Sequence, residues 1–200
     1  MSDGYCYIAM RGVGMRLEVL EASLHSFGLV LANPWNGAIT VFGEDGSQLR
    51  VSREWVRDNV ARASTINLQF WFSSSSDLLI SIRSAAKKFI VLDCGLDGKD
   101  QMEREKVCAW AEKQFLQPDL DGPAALLIID LLGITEPLGW DDFLKYGQDV
   151  SGSLPDAVGL DLSVFEPLHL ERQGRRILER KNQVISCKAT YKMRADYPTQ

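Results

Sequence analysis

The chain is poor in the groups that carry most enzymatic chemistry. Its 200 residues include only two histidines, His25 and His169, far apart and each set among apolar neighbours. Acid–base or metal work needs converging partners, so neither stands out as more than a structural or surface histidine. HExxH, GxSxG and Walker A motifs are absent. Gly12-Val13-Gly14 runs into Met15 and Arg16 without a third glycine, which removes a dinucleotide fingerprint. The four cysteines, Cys6, Cys94, Cys108 and Cys187, form no CxxC pair and no zinc spacing. Each lies in or beside an apolar run, and buried reduced thiols are expected. No apolar stretch approaches the roughly 20 residues of a membrane-crossing helix; the run at 124–129 is interrupted by Asp130. The first residues, MSDGYCYIAMRGVG, lack a basic segment followed by an apolar one, so a cytoplasmic protein without a membrane role is expected. No residue pattern calls for a cofactor.

What is present is ordinary globular composition: 46% hydrophobic and 24% charged residues, enough to bury a core without staples. A single domain over 1–200 is expected, with a possible subdivision into a sheet-plus-helix part at 1–117 and an acidic segment with a basic tail at 118–200.

The clearest patterning runs from residue 65 to 115. TINLQFWF, DLLISIR and FIVLDC are β-rich segments separated by short polar turns. They predict an antiparallel meander. Leu78, Ile80 and Ile82 alternate with Leu79, Ser81 and Arg83, so one face should be buried and the other partly wet. After Asp97-Gly98, Asp100 and Glu103 have capping-box spacing, and Val107, Cys108, Ala111 and Phe115 form a helical stripe. The expected class is α+β: a meander covered on one face by an amphipathic helix, with a loop-rich acidic region. Further strands are expected at 5–10, 24–32 and 39–42, the last paired with 48–51. Residues 52–63 read as a short helix capped by Ser52, with Trp55, Val56 and Val60 inward, or as an irregular link. Residues 124–132 read equally as helix or strand. A short helix is expected at 140–146, and in the tail a helix followed by a strand at 183–191.

Charge is strongly polarised. Between residues 119 and 166 stand ten acidic residues against Lys145 alone, a net of −9; residues 171–200 carry eight Lys/Arg against three acids, a net of +5. Two arrangements are open: the tail folds back on the acidic segment, or the acids stay exposed and steer a basic protein partner. The sequence pI of about 5.1 speaks against nucleic acid as partner. Asp93, Asp97 and Asp100 cluster near the strand-to-helix junction, where turn-forming and helix-capping roles compete with a cation or catalytic site; a distant His–carboxylate pair is the other place for an enzyme's chemistry. The spacing of the three aspartates lacks the ladder of a calcium loop.

Trp140 stands between Gly139 and the pair Asp141-Asp142. An aromatic flanked by carboxylates has the composition of a protein-binding hot spot, with helix packing as the competing reading. The candidate partner-binding residues are Asp119, Asp121, Trp140, Asp141, Asp142 and Asp149; no catalytic or metal-binding residue is assigned.

The succession FWFSSSSDLLISIR, FIVLDCGLDG and an amphipathic helix, with acidic bias and no catalytic motif, resembles small bacterial toxin-immunity proteins over residues 65–117. The resemblance implies a cytoplasmic protein that binds a cognate toxin and occludes its active site. It carries over no functional residue. An enzyme of unfamiliar type, or a subunit of a larger assembly, is the alternative.

Overall fold

In the computed structural model, residues 4–12, 14–43, 45–86, 88–116, 120, 123–146, 154–165, 175–180 and 182–193 are described. Among them the chain is mixed α+β. Its strands are β1 (Tyr5–Arg11), β2 (Ile39–Phe42), β3 (Gln48–Val51), β4 (Ile66–Trp71), β5 (Asp77–Ala85), β6 (Phe89–Gly95), β7 (Ala124–Asp130), β8 (Ala157–Asp161), β9 (Arg175–Arg180) and β10 (Gln183–Lys188). They form one antiparallel sheet in the order β3-β2-β4-β5-β6-β1-β7-β8-β10-β9. The helices are α1 (Leu17–His25), α2 (Arg53–Ala61), α3 (Gln101–Leu116) and α4 (Pro137–Tyr146).

The expected meander is β4-β5-β6, and β1 extends it by pairing with β6. Alternation holds through β5: Leu78, Ile80 and Ile82 are buried, whereas Leu79 is 38% exposed. The buried set belongs to one core with Ile8, Leu68, Leu92, Leu127 and Ile185, to which α1, α2 and α3 contribute. Helix α3 lies mainly over β1 and β7, beside the meander. Asp100 Oδ1 accepts from Glu103 N at 2.8 Å and Glu103 Oε2 from Asp100 N at 3.2 Å, the reciprocal capping box. Gly98, at φ +66°, supplies the left-handed turn before it. Away from the sheet, α3 also buries Trp110 and Gln114. Both donate to Ser23 Oγ of α1 at 2.8 Å, so their polar atoms are satisfied where water cannot reach.

The close seat of α3 depends on Gly159 in β8. A Cβ there would lie 2.9 Å from Phe115 Cε1 and 3.1 Å from Leu127 Cβ. Gly159→Ala is therefore expected to push α3 off the sheet and lose about 1–3 kcal/mol. Urea unfolding checks this; unchanged stability would mean that Phe115 has room to swing away.

Three expectations are corrected. Residues 24–32 are not a strand. Helix α1 runs to His25 and ends at Gly28, φ +83°, where Leu29 N bonds to Leu24 O at 3.2 Å; only Val30 then bridges to Trp71. Residues 175–180 are a strand, not a helix, because they pair with β10 along their whole length. Trp55, although near the Ser52 cap, is 44% exposed, whereas Val56 and Val60 point inward. The ambiguous run at 124–130 is a strand with every residue buried. The acidic segment also supplies α4 and β8. No described helix is long and apolar enough to cross a membrane.

Candidate functional site

The second face of the sheet is divided. One register row crosses all ten strands on this face: Gln48, Phe42, Asn67, Ser81, Asp93, Tyr7, Ile128, Val158, Ser186 and Ile177. From Tyr7 onward the neighbours are mostly apolar, and Trp140, Phe143 and Leu144 of α4 pack on them with Phe165. From β5 to β3 the same face mixes polar and charged side chains with Phe42, Trp71 and Leu79, and α4 reaches it at β5, where Asp141 meets Arg83.

Trp140 belongs to the covered part and is fully buried. Its Nε1 donates to Tyr5 Oη at 3.0 Å. Tyr5 Oη and Thr135 Oγ1 are 2.6 Å apart, and Thr135 Oγ1 donates to Asp130 Oδ2 at 2.8 Å. Reading back from the carboxylate, which can only accept, Tyr5 donates to Thr135 and receives from Trp140. Burial pushes the Tyr5 phenol above its ordinary value, which keeps that hydroxyl a donor. Asp130 Oδ2 also accepts from Thr135 N at 2.7 Å and Oδ1 from Leu132 N at 3.3 Å. Asp156 Oδ2 accepts from Leu131 N at 2.8 Å. The β7–α4 loop at 131–136 is thus tied down by two carboxylates, yet it presents Leu132 and Ile134 to solvent at 61% and 47% exposure.

Asp141 faces inward at the border of the covered region. Its Oδ1 accepts from Tyr7 Oη at 2.7 Å and from Arg83 Nη1 at 2.8 Å. Burial, reinforced by the Asp141 hydrogen bond, raises the Tyr7 phenol far above the usual range. Asp93, Tyr7's register partner, has no hydrogen-bond donor among the described residues. Burial lifts its carboxyl to about 6, with Arg83 pulling it down and Asp141 pushing it up.

Asp142 is exposed, whereas Asp119, Asp121 and Asp149 lie outside the described residues. Of the other acids in the segment, Asp130 and Asp141 are bonded as above. Asp156 pairs with Lys188 at 3.0 Å and Asp161 with Arg11 at 3.0 Å. The described part of the basic tail, 175–180 and 182–193, therefore folds back: β10 pairs with β8 and delivers Lys188 to Asp156. Glu136 and Asp142 remain as exposed acids of the described segment. Sequence reading picked out Trp140 and Asp141 but missed Tyr5, Tyr7, Arg83, Asp130 and Thr135. Only Asp130, closing an apolar run, and Arg83, on the wet phase of β5, left a trace there.

The candidate catalytic groups do not converge. Asp100 caps α3, Asp97 lies in an exposed turn, and Asp93 faces the sheet's second side. No group of three potential metal ligands occurs among the described residues. All four cysteines are buried and reduced. Cys6 and Cys108 lie Sγ to Sγ at 3.8 Å; that contact and burial raise the Cys6 thiol, and burial raises Cys94. Such thiols are poor nucleophiles. His25 is exposed on α1, and His169 lies outside the described residues.

The chain matches no protein-family model, and no curated protein or solved structure is significantly similar to it.

Proposed function

We propose that this is a non-enzymatic protein-binding protein that presents the β7–α4 loop and the outer side of α4 to a protein partner. The observation that carries the reading is the loop itself: two large apolar side chains are held outward on backbone fixed by Asp130 and Asp156. Solvated apolar tips on a pre-ordered loop gain on burial without a large ordering cost, the condition for an interface anchor. Glu136 on the loop and Asp142 on α4 are exposed and outnumber Lys145, which interacts with Asp142, so the remaining negative charge favours a partner of basic character. In its specific form the proposal is the immunity role: the loop enters a toxin's active site and blocks it. Trp140 then acts from beneath, holding α4 and Thr135 in place, while Asp142 is the member of the Asp141-Asp142 pair positioned to meet a partner.

The test is capture of a partner from the native cell by tagged wild type and by the double variant Leu132→Asp/Ile134→Asp, followed by measured association. The wild type is expected to retain one stoichiometric basic protein, inhibiting it if it is a toxin. The variant should lose at least about tenfold in affinity with its melting temperature within a few degrees of wild type. Equal affinity for both proteins would remove this loop as the binding surface.

A further inference from the structure

A separate feature lies on the uncovered half of the sheet, among β2, β3, β4 and the loop that precedes β2. There a polar groove is lined by Asn33, Asn36, Thr40, Arg50, Gln69 and Trp71, with Gln48 beside them. Internal hydrogen bonds determine what the groove can still offer. Asn33 Oδ1 accepts from Trp35 N at 2.8 Å and Asn36 N at 3.3 Å. Asn36 Oδ1 accepts from Ala38 N at 2.9 Å. Backbone N–H groups can only donate, so these bonds fix both amide orientations and leave the two Nδ2 groups as donors. Arg50 has no acidic partner among the described residues, and its guanidinium brings the groove's one formal charge. Trp71 Nε1 is buried without a hydrogen-bond partner. Gln69 gives its Nε2 to Asp77 Oδ2 at 2.5 Å, so its Oε1 is left as an acceptor. The balance is two amide donors and a cation, with an unmatched indole N–H in the wall and no carboxylate.

We infer that this groove binds a carboxylate group. Arg50 supplies the charge-assisted donor and the Asn33 and Asn36 amides supply neutral ones; the guanidinium fork fits carboxylate and phosphate oxygens alike, but the groove's single cation matches one negative charge and leaves the second charge of a phosphate dianion unmet. The indole of Trp71 forms the wall. Its N–H is buried and has no hydrogen-bond partner, so a ligand reaches it only if the surrounding side chains shift. Gln69 Oε1 takes an N–H or O–H of the same ligand. The site stands at the far end of the sheet from the 131–136 loop, and its occupancy is independent of the protein interface proposed above.

The experiment is isothermal titration of the full chain with succinate, a free dicarboxylate, and with N-acetyl-diglycine, which carries a peptide C-terminal carboxylate. Succinamide, N-acetyl-diglycine amide and inorganic phosphate serve as controls. Saturable binding of one or both carboxylates and of neither amide is expected, and the stronger of the two identifies a small-molecule or a chain-terminal source. Arg50→Gln should weaken it at least about tenfold. Asn36→Asp keeps the Oδ1 acceptor for Ala38 N and so preserves the loop, but it replaces a donor with a like charge and should abolish binding. No saturable heat with either carboxylate, equal binding of phosphate, or wild-type affinity in both variants would overturn the assignment.

Discussion

Asp130→Ala is expected to lose about 2–4 kcal/mol of folding stability, because it removes the acceptor for three donors at once. Asp130 is fully buried at the end of β7, with Thr135 N, Thr135 Oγ1 and Leu132 N on its oxygens. Alanine leaves two backbone N–H groups and a hydroxyl without their partner beside an apolar layer. Further along the chain of bonds, Thr135 loses its orienting acceptor, so the Tyr5 hydroxyl and through it the Trp140 indole are also affected. Asp130→Asn retains one acceptor oxygen and should lose less, about 1–2 kcal/mol. Urea denaturation gives the two values, and amide hydrogen exchange at Thr135 and Leu132 gives the local effect. Exchange at both sites should accelerate in Asp130→Ala beyond what the global loss explains. A variant within about 0.5 kcal/mol of wild type, with protected amides, would show that the loop is held by its packing and not by the carboxylate. The functional consequence is separable: if Leu132 and Ile134 anchor a partner, Asp130→Asn should weaken binding while both apolar side chains are still present, because ordering the loop then has to be done on association.

The parts of the fold that were legible in the sequence are those determined by neighbours in the chain. Alternation in DLLISIR predicts β5 and its two faces, and the Asp100–Glu103 spacing predicts the start of α3, since a capping box closes on itself within four residues. Residues 24–32 misled because an apolar run contains the end of one helix and the start of an extended segment; the break is the left-handed Gly28, and a single glycine is a weak marker inside such a run. Residues 175–180, RRILER, consist largely of helix formers, yet pairing with β10 overrides that preference. The site was harder still. The count of acids in 119–166 was correct, but whether an acid is free depends on donors distant in sequence: Arg83 and Tyr7 for Asp141, Lys188 for Asp156, Arg11 for Asp161. Trp140 and its two aspartates are adjacent in the chain but about 100° apart around a helix, so one turn sends the indole into the core, Asp141 to Arg83 and Asp142 to water.

Asp93→Asn is expected to make the protein more stable at neutral pH, by about 2–3 kcal/mol. The wild-type carboxyl sits on the second face of the sheet with Tyr7 and Ser81 as register partners. No described group donates a hydrogen bond to it, and the nearby Arg83 is already paired with Asp141 at 2.8 Å. Burial therefore dominates and lifts the carboxyl from 3.8 to about 6. Because the folded value is raised, the folded state takes up a proton more readily than the unfolded one. The site's stabilisation is complete below about pH 4, the unfolded value, and is lost as pH rises through about 6. At pH 7.5 the wild type folds with an ionised, desolvated carboxylate next to Asp141, and asparagine removes that burden at nearly constant volume. The informative quantity is the difference in unfolding free energy between variant and wild type, measured at each pH so that other carboxylates cancel. It should be largest above about pH 7 and shrink steadily toward pH 4. A difference of constant size across that range would mean that the amide gains by a new hydrogen bond instead. A variant less stable at neutral pH would mean that attraction to Arg83 outweighs the desolvation of Asp93, and that Arg83 is shared between two carboxylates.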